Sequence, residues 1–407
     1  MKVGSLIKYY RTKQGMTQSE LVEGICSVPH LSKIENNGKE ANRQTIDLLL
    51  NRLGVNLSIV EEKNSSIKDL LEEWINNINY LQYREAKSVY NQLESLTEFI
   101  EHTSYLYIYE LYKLRYFLFV EDMKQAYKQY KWLEKQKNNF SFNETYLFHY
   151  YHSIYLIMKN KYRQANQLLL DLVLEKSEGI NASGDVYYHL ALVKCYMEQP
   201  GHAIFYAKKA LTSFSSQYNI KRILHTLMIM GISYTDSGVY EVAIDCFKHL
   251  KRNAKILGEP SLLSLTYHNI GYLKHKMGDL EEARNYFQYA LDYSKNDRYS
   301  YMVSLYTFAE TTFQLGRIEE SMEYFKQVKE EAVYLENKIY HLLPNYYLLM
   351  IRNEEEKAIH YLQEYTLPFL HNTGRNYTDI RQIYKILAAY YKKIGKFEKS
   401  LQYINID

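Results

Sequence analysis

The sequence predicts an all-α chain: a small cluster of short helices, then a solenoid of about nine helical hairpins. Two observations carry this. A small residue recurs at Ala86, Ala126, Ala165, Ala203, Ala243, Ala283, Ser321, Ala358 and Ser400, with spacings of 37 to 42 residues. Four positions later stands Tyr90, Tyr130, Leu169, Phe247, Phe287, Phe325, Leu362 or Ile404; only Ala207 is small there. Such self-similarity marks stacked units, none of which can bury its apolar face alone. Glycine (16) and proline (5) are also scarce in 407 residues, so little interrupts the helices.

In chain order, Val3 to Lys13 reads as a first helix with Leu6, Ile7 and Tyr10 inward, ended by Gly15. Thr17 is a strong N-cap, and Glu20 three residues on completes a capping box. The second helix follows with Leu21, Val22 and Ile25 inward. Cys26-Ser27 makes the turn. Ser27 caps a third helix with Pro29 in its first turn, where proline is tolerated. Leu31 and Ile34 face inward, and Asn37-Gly38 stops it. Arg43 to Leu53 supplies a further helix with Ile46, Leu49, Leu50 and Leu53 inward. Residues 1–60 are thus a head, the polar residues 61–66 a linker, and 67–407 the solenoid.

Charge separates these parts. Residues 1–60 hold eight Lys or Arg against five Asp or Glu, a balance of +3, and the remainder holds 42 of each sign. A basic head on a neutral body points to nucleic acid at the head.

The head resembles the Cro/repressor-type helix-turn-helix domain, carried by GMTQSELVEGICSVPHLSKIENNGK. In that family the helix after the tight turn enters the major groove. The resemblance implies that Gln18 touches phosphate and that Ser27, Val28, Pro29, His30, Ser32, Lys33 and Asn36 line the groove. It also implies a structural Arg11–Glu35 pair between the first and third helices. The alternative is a head that keeps the fold and binds protein, since fold alone does not fix function.

The best-formed repeat, Ser264 to Leu291, resembles a tetratricopeptide repeat, with Tyr267, Ile270, Gly271, Gly278, Ala283, Phe287 and Ala290 in order. This implies a right-handed superhelix. Gly271 allows close helix approach with Ala283 facing it, and Gly278 takes the positive φ that ends the first helix. In the eighth copy Tyr346 replaces the small residue and Pro344 should bend the first helix.

The first helix of each hairpin lines the concave surface. The repeat frame of Gly271 places inward Arg115, then Tyr188, His189 and Leu192, then His225, Met228, Ile232 and Asp236. His268, Asn269, Tyr272 and Lys276 follow, then Tyr306, Glu310 and Tyr347. Polar groups among apolar ones suit an extended peptide, whose backbone needs donors and acceptors that one Asn amide supplies together. Taken singly, most of these residues read as packing or solvated surface; Asn269 is the exception.

Head and repeats together resemble the peptide-pheromone receptors of Gram-positive bacteria, the Rap, NprR, PlcR and PrgX group, and in length and repeat number NprR-like transcription factors. The resemblance spans the chain. It implies a cytoplasmic quorum-sensing regulator, dimeric or larger, bound to a palindromic DNA site and switched by a short signalling peptide. His268 to Gly271, HNIG, matches the position where the family holds the peptide backbone with an asparagine, here Asn269. The alternative within the group is a Rap-like protein that sequesters a response regulator or promotes its dephosphorylation.

Catalysis and cofactors find no support. There is no GxSxG, phosphate loop or HExxH. His149 and His152 have a helical metal spacing without a completing ligand, so aromatic packing accounts for them better. Cys26, Cys195 and Cys246 lack metal-ligand spacing and follow no secretory signal, as expected of reduced thiols. No apolar run approaches membrane-spanning length.

Overall fold

The computed structural model describes residues 3–36, 42–174, 183–373 and 377–404, and among these every regular element is helical. The chain divides into two compact units, Met1–Tyr155 and Leu156–Asp407.

The first unit begins with α1 (Val3–Lys13), α2 (Gln18–Val22), α3 (Val28–Glu35) and α4 (Arg43–Arg52). They close over Ile7, Leu21, Val22, Leu31, Ile34, Leu49, Leu50 and Leu53. The caps are as the sequence predicts. Thr17 Oγ1 accepts from the Glu20 amide at 3.2 Å while the Glu20 carboxylate accepts from the Thr17 amide at 2.6 Å. Ser27 Oγ accepts from the His30 amide at 3.4 Å. The second helix is shorter than expected. It stops at Val22, Gly24 turns the chain at φ +70°, and Ile25 packs on the core from the turn. The Asn37-Gly38 stop lies outside the described residues.

The expected linker is corrected. Residues 61–66 lie inside one continuous helix, α5 (Leu57–Asn79). Val60, Ile67, Leu71, Trp74 and Ile78 recur at helical spacing and are buried, so the polar run is the outer face of that helix. The head is not separate from it. Leu6 of α1 belongs to the core of Val60, Ile67 and Trp74, whereas its neighbour Ile7 belongs to the core of the head.

The first unit continues through α6 (Tyr83–Ser95), α7 (Thr97–Ile100), α8 (Leu106–Phe119) and α9 (Met123–Gln136), and ends within α10 (Phe142–Met158). The second unit contains α11 (Tyr162–Leu174), α12 (Gly184–Tyr196), α13 (Pro200–Ser216), α14 (Ile220–Asp236) and α15 (Tyr240–Leu257). It continues with α16 (Pro260–Met277), α17 (Leu280–Tyr293), α18 (Arg298–Gln314), α19 (Ile318–Tyr334) and α20 (Lys338–Ile351). Last come α21 (Glu355–Tyr361), α22 (Leu367–Thr373), α23 (Tyr377–Lys393) and α24 (Phe397–Ile404).

The repeat frame holds at atomic level. Each of the nine small residues is the fourth residue of the second helix of its hairpin, and all nine are buried. Five residues before each one, the backbone is left-handed: at Leu81, Glu121, Asn160, Glu198, Gly238, Gly278, Gly316, Asn353 and Gly395. One turn geometry is therefore kept whether or not glycine supplies it.

Two details refine the expectation. The space over Gly271 is filled by the Phe287 ring, which a Cβ there would approach to 2.7 Å; Phe247 stands in the same way over Gly231 at 2.6 Å. The aromatic four residues after the small position thus explains the glycine. Pro344 lies inside α20, which continues through it. The irregularity comes later, as a π-helical turn at Leu362–Thr366. No described helix is long and apolar enough to cross a membrane.

Candidate functional site

In the head, α3 sorts its residues by face. Leu31 and Ile34 are buried, while Val28, Pro29, Lys33 and the C-cap Asn36 are exposed, as is the N-cap Ser27. His30 and Ser32 are half-buried. Glu35, the only acid of this helix, is turned inward with 2% of its side chain exposed. Its carboxylate accepts from Arg11 Nε at 2.6 Å, Arg11 Nη2 at 3.1 Å and Gln18 Nε2 at 2.7 Å. A buried carboxylate needs such compensation. Gln18, expected at phosphate, therefore has its amide nitrogen engaged within the protein. The sequence reading missed Arg52, which donates to the Leu21 carbonyl at 3.1 Å and to the Glu23 carbonyl, fastening the open end of α2.

In the second unit, the structure brings most of the expected groove residues onto successive first helices and links them one hairpin to the next. Tyr272 donates to Asp236 at 2.8 Å and Tyr347 to Glu310 at 2.6 Å. Lys276 lies over the Tyr272 ring, 5.2 Å from its centroid. Tyr306 packs edge-on to Tyr347, their centroids 6.4 Å apart. Asn269 donates to the Leu265 carbonyl at 2.8 Å and to Met228 Sδ at 3.3 Å. Its acceptor oxygen has no partner among the described residues.

Other expected residues are drawn into packing. His189 is buried, with Nδ1 2.8 Å from the Asp185 carbonyl. His268 sits 3.1 Å from Ser304 Oγ and against the Phe287 ring, and desolvation pushes its pKa down to about 4. His225 is likewise lowered to about 4, by desolvation first and then by the charges of Arg222 and Lys221. Both are neutral near pH 7. Tyr188 lies under the Arg222 guanidinium at 5.0 Å, and Arg222 is buried 3.2 Å from Asp185. Arg115 is buried, and belongs to the first unit.

His152 stacks on Tyr130 at 4.6 Å, in the aromatic packing expected for it. The described residues contain no group of His, Cys, Asp and Glu arranged to hold a metal. The first unit also carries an open cleft of about 820 Å³ that periodicity did not foretell, bordered by Glu94, Glu110, Lys113, Gln129 and Trp132. Burial raises the Glu110 carboxyl pKa there, against the lowering effect of a 2.5 Å hydrogen bond from Gln129.

Comparison with known proteins agrees with both parts. Residues 7–60 match the helix-turn-helix family model and residues 262–330 the tetratricopeptide repeat model. The chain is 25% identical over 393 residues to the transcriptional activator NprA of Geobacillus stearothermophilus, covering 93% of this chain and 95% of that protein. Its fold is similar to that of NprR in complex with its cognate peptide NprX, with a TM-score of 0.69 at 20% identity over 84% of this chain and 96% of the other. It is also similar to a Rap protein complexed with competence and sporulation factor, with a TM-score of 0.70 at 17% identity over 84% and 96% of the two chains.

Proposed function

We propose that the chain is a transcription regulator of the NprR, Rap and PlcR type, switched by a short linear peptide. In this reading α3 enters the DNA major groove, and the peptide lies along the first helices of the central repeats with Asn269 holding its backbone. The observation that carries the reading is the division of α3. Its one acid is buried and neutralised by Arg11, while Lys33, Val28, Pro29 and Asn36 face outward. A surface so arranged accepts phosphate without an opposing carboxylate from the same helix.

The free acceptor of Asn269 supports the peptide part. An extended peptide presents N–H groups that are costly to bury unpaired. Paired heads on a palindrome would add affinity and fix half-site spacing, so the regulator acts as a dimer or larger. The relative named as a transcriptional activator and the NprR structure holding its peptide favour the same reading. A second reading, a protein-binding use of the repeats with a response regulator as partner, rests on relatives named for that role, such as response regulator aspartate phosphatase A of Bacillus subtilis. The two readings part at the head, where the helix-turn-helix match favours DNA.

The test is selection of duplexes from a random double-stranded DNA pool, followed by affinity measurements across salt. Wild type should recover a palindromic site, and Lys33→Ala should bind it more weakly, with a salt slope smaller by about one counterion. Recovery of no enriched sequence, or an unchanged slope with Lys33→Ala, would remove α3 from the DNA.

A further inference from the structure

In a stacked array each hairpin contacts its neighbours and little else. Polar links in the second unit mostly obey this. Tyr272–Asp236, His275–Gln314, Tyr347–Glu310 and Arg317–Glu281 each span 36 to 39 residues, one hairpin to the next. Two links from α23 do not. Gln382 Nε2 donates to Glu310 Oε1 at 2.7 Å, two hairpins back. Arg381 Nη1 lies 2.9 Å from Glu198 Oε2, in the turn of the hairpin formed by α12 and α13. Adjacent side chains of one helix thus reach the seventh and the fourth hairpins from the ninth.

The geometry of both ends is fixed. Ile383, Tyr384 and Leu387 bury the other side of α23, leaving Arg381 and Gln382 outward. Glu198 stands in the left-handed turn at φ 54°. Gln382's partner Glu310 is a residue of the candidate groove, and the charge of Glu198 adds to the rise that burial causes in the pKa values of Asp236 and Tyr272.

We infer that Arg381 and Glu198 form a latch across the groove of the repeats, with Gln382–Glu310 as a second fastening, and that opening this latch controls entry to the groove. The inference rests on the reading of that groove as a peptide site. Arg381 is 60% exposed and Glu198 23%, so solvent and salt weaken the pair. Weakness suits a latch, because a peptide must open it to enter. Closure over Tyr272 and Asp236 would then slow the peptide's exit.

The test uses the full chain without ligand. Hydroxyl-radical footprinting reads the access of solvent to Met228 and Tyr272, and small-angle scattering reads the breadth of the molecule. Arg381→Glu and Glu198→Arg should each raise modification of both residues about two- to five-fold, the range an exposed ion pair sustains, and should enlarge the radius of gyration. The double reversal should restore both readings. In wild type, 1 M NaCl should mimic the single variants. Circular dichroism checks folding, and Arg381→Gln replaces any reversal variant that loses helix. Footprints identical to wild type, or a double reversal that fails to restore them, would overturn the latch. Because no peptide enters the experiment, its result is independent of whether peptide binds. A failed peptide titration beside a working latch would reject the peptide reading alone.

Discussion

The inner side of α3 and the groove side of the repeats use polar groups in opposite ways. Glu35 is buried and takes three hydrogen bonds from Arg11 and Gln18, so the helix that carries Lys33 is held to α1 and α2. In the groove, Asp236 and Glu310 are more accessible and take one or two hydrogen bonds each, from neighbouring hairpins or from α23. The first arrangement resists change, and the second exchanges partners at small cost. A rigid head joined to adjustable repeats would suit the peptide-controlled DNA binding proposed for the chain.

Breaking the rigid side should have the largest effect. Glu35→Ala leaves Arg11 partly buried without its counterion, and loss of one member of such a pair costs about 3–5 kcal/mol. Because Leu6 and Ile7 tie α1 to both cores of the first unit, the loss should spread beyond the head. Denaturant unfolding followed by Trp74, which is fully buried in the first hairpin, would register it. An unchanged midpoint would show that the three hydrogen bonds contribute little.

Acid should act next, and on the repeats. His225 and His268 have folded pKa values of about 4, below the ordinary value of 6.5. The unfolded chain binds more protons between these values. The stability these histidines allow is therefore complete above pH 6.5 and falls as pH drops toward 4, by at most about 1.4 kcal/mol per pH unit for each. Asp236, whose carboxyl pKa is raised by burial, opposes this at the acid end. Melting at pH 7 and pH 5 should show the loss, and His268→Gln should reduce it. An equal loss in that variant would exclude His268 as a source.

On the adjustable side, Tyr272→Phe removes a single exposed hydrogen bond and should cost only about 0.5–1 kcal/mol. A larger loss in thermal melting would mean that the groove is as tightly built as the head, which would end the contrast.

The sequence made most of the architecture legible for identifiable reasons. Thr17, Glu20 and Ser27 act within four residues of themselves, so their caps could be read directly. The nine small residues could be read because burial demands them in every copy. The turns were half legible. Glycine announces positive φ at Gly238, Gly278, Gly316 and Gly395, but nothing announces it at Leu81, Glu121 or Glu198, where the stacked helices impose it. Residues 61–66 misled because one polar helix face looks like a linker when its apolar partners, Val60 and Ile67, lie just outside it. Groove position was legible and groove state was not. The frame places His189 and His268 beside Asn269, but whether a side chain reaches solvent depends on contacts such as Asp185 and Ser304. Arg381 and Glu198 are 183 residues apart, and no periodicity could join them.

The central claim, a peptide held on the groove by Asn269, is tested most directly by calorimetric titration into wild type and Asn269→Ala, with melting curves of both. The titrants are synthetic peptides tiled across any short reading frame found immediately downstream of the gene. Wild type should bind one of them, and the variant should bind it about ten- to a hundred-fold more weakly at unchanged melting temperature, because peptide groups lose their partner. Equal affinity in the variant would contradict the account, and so would a lowered melting temperature accompanying lost binding, which would make Asn269 part of the packing.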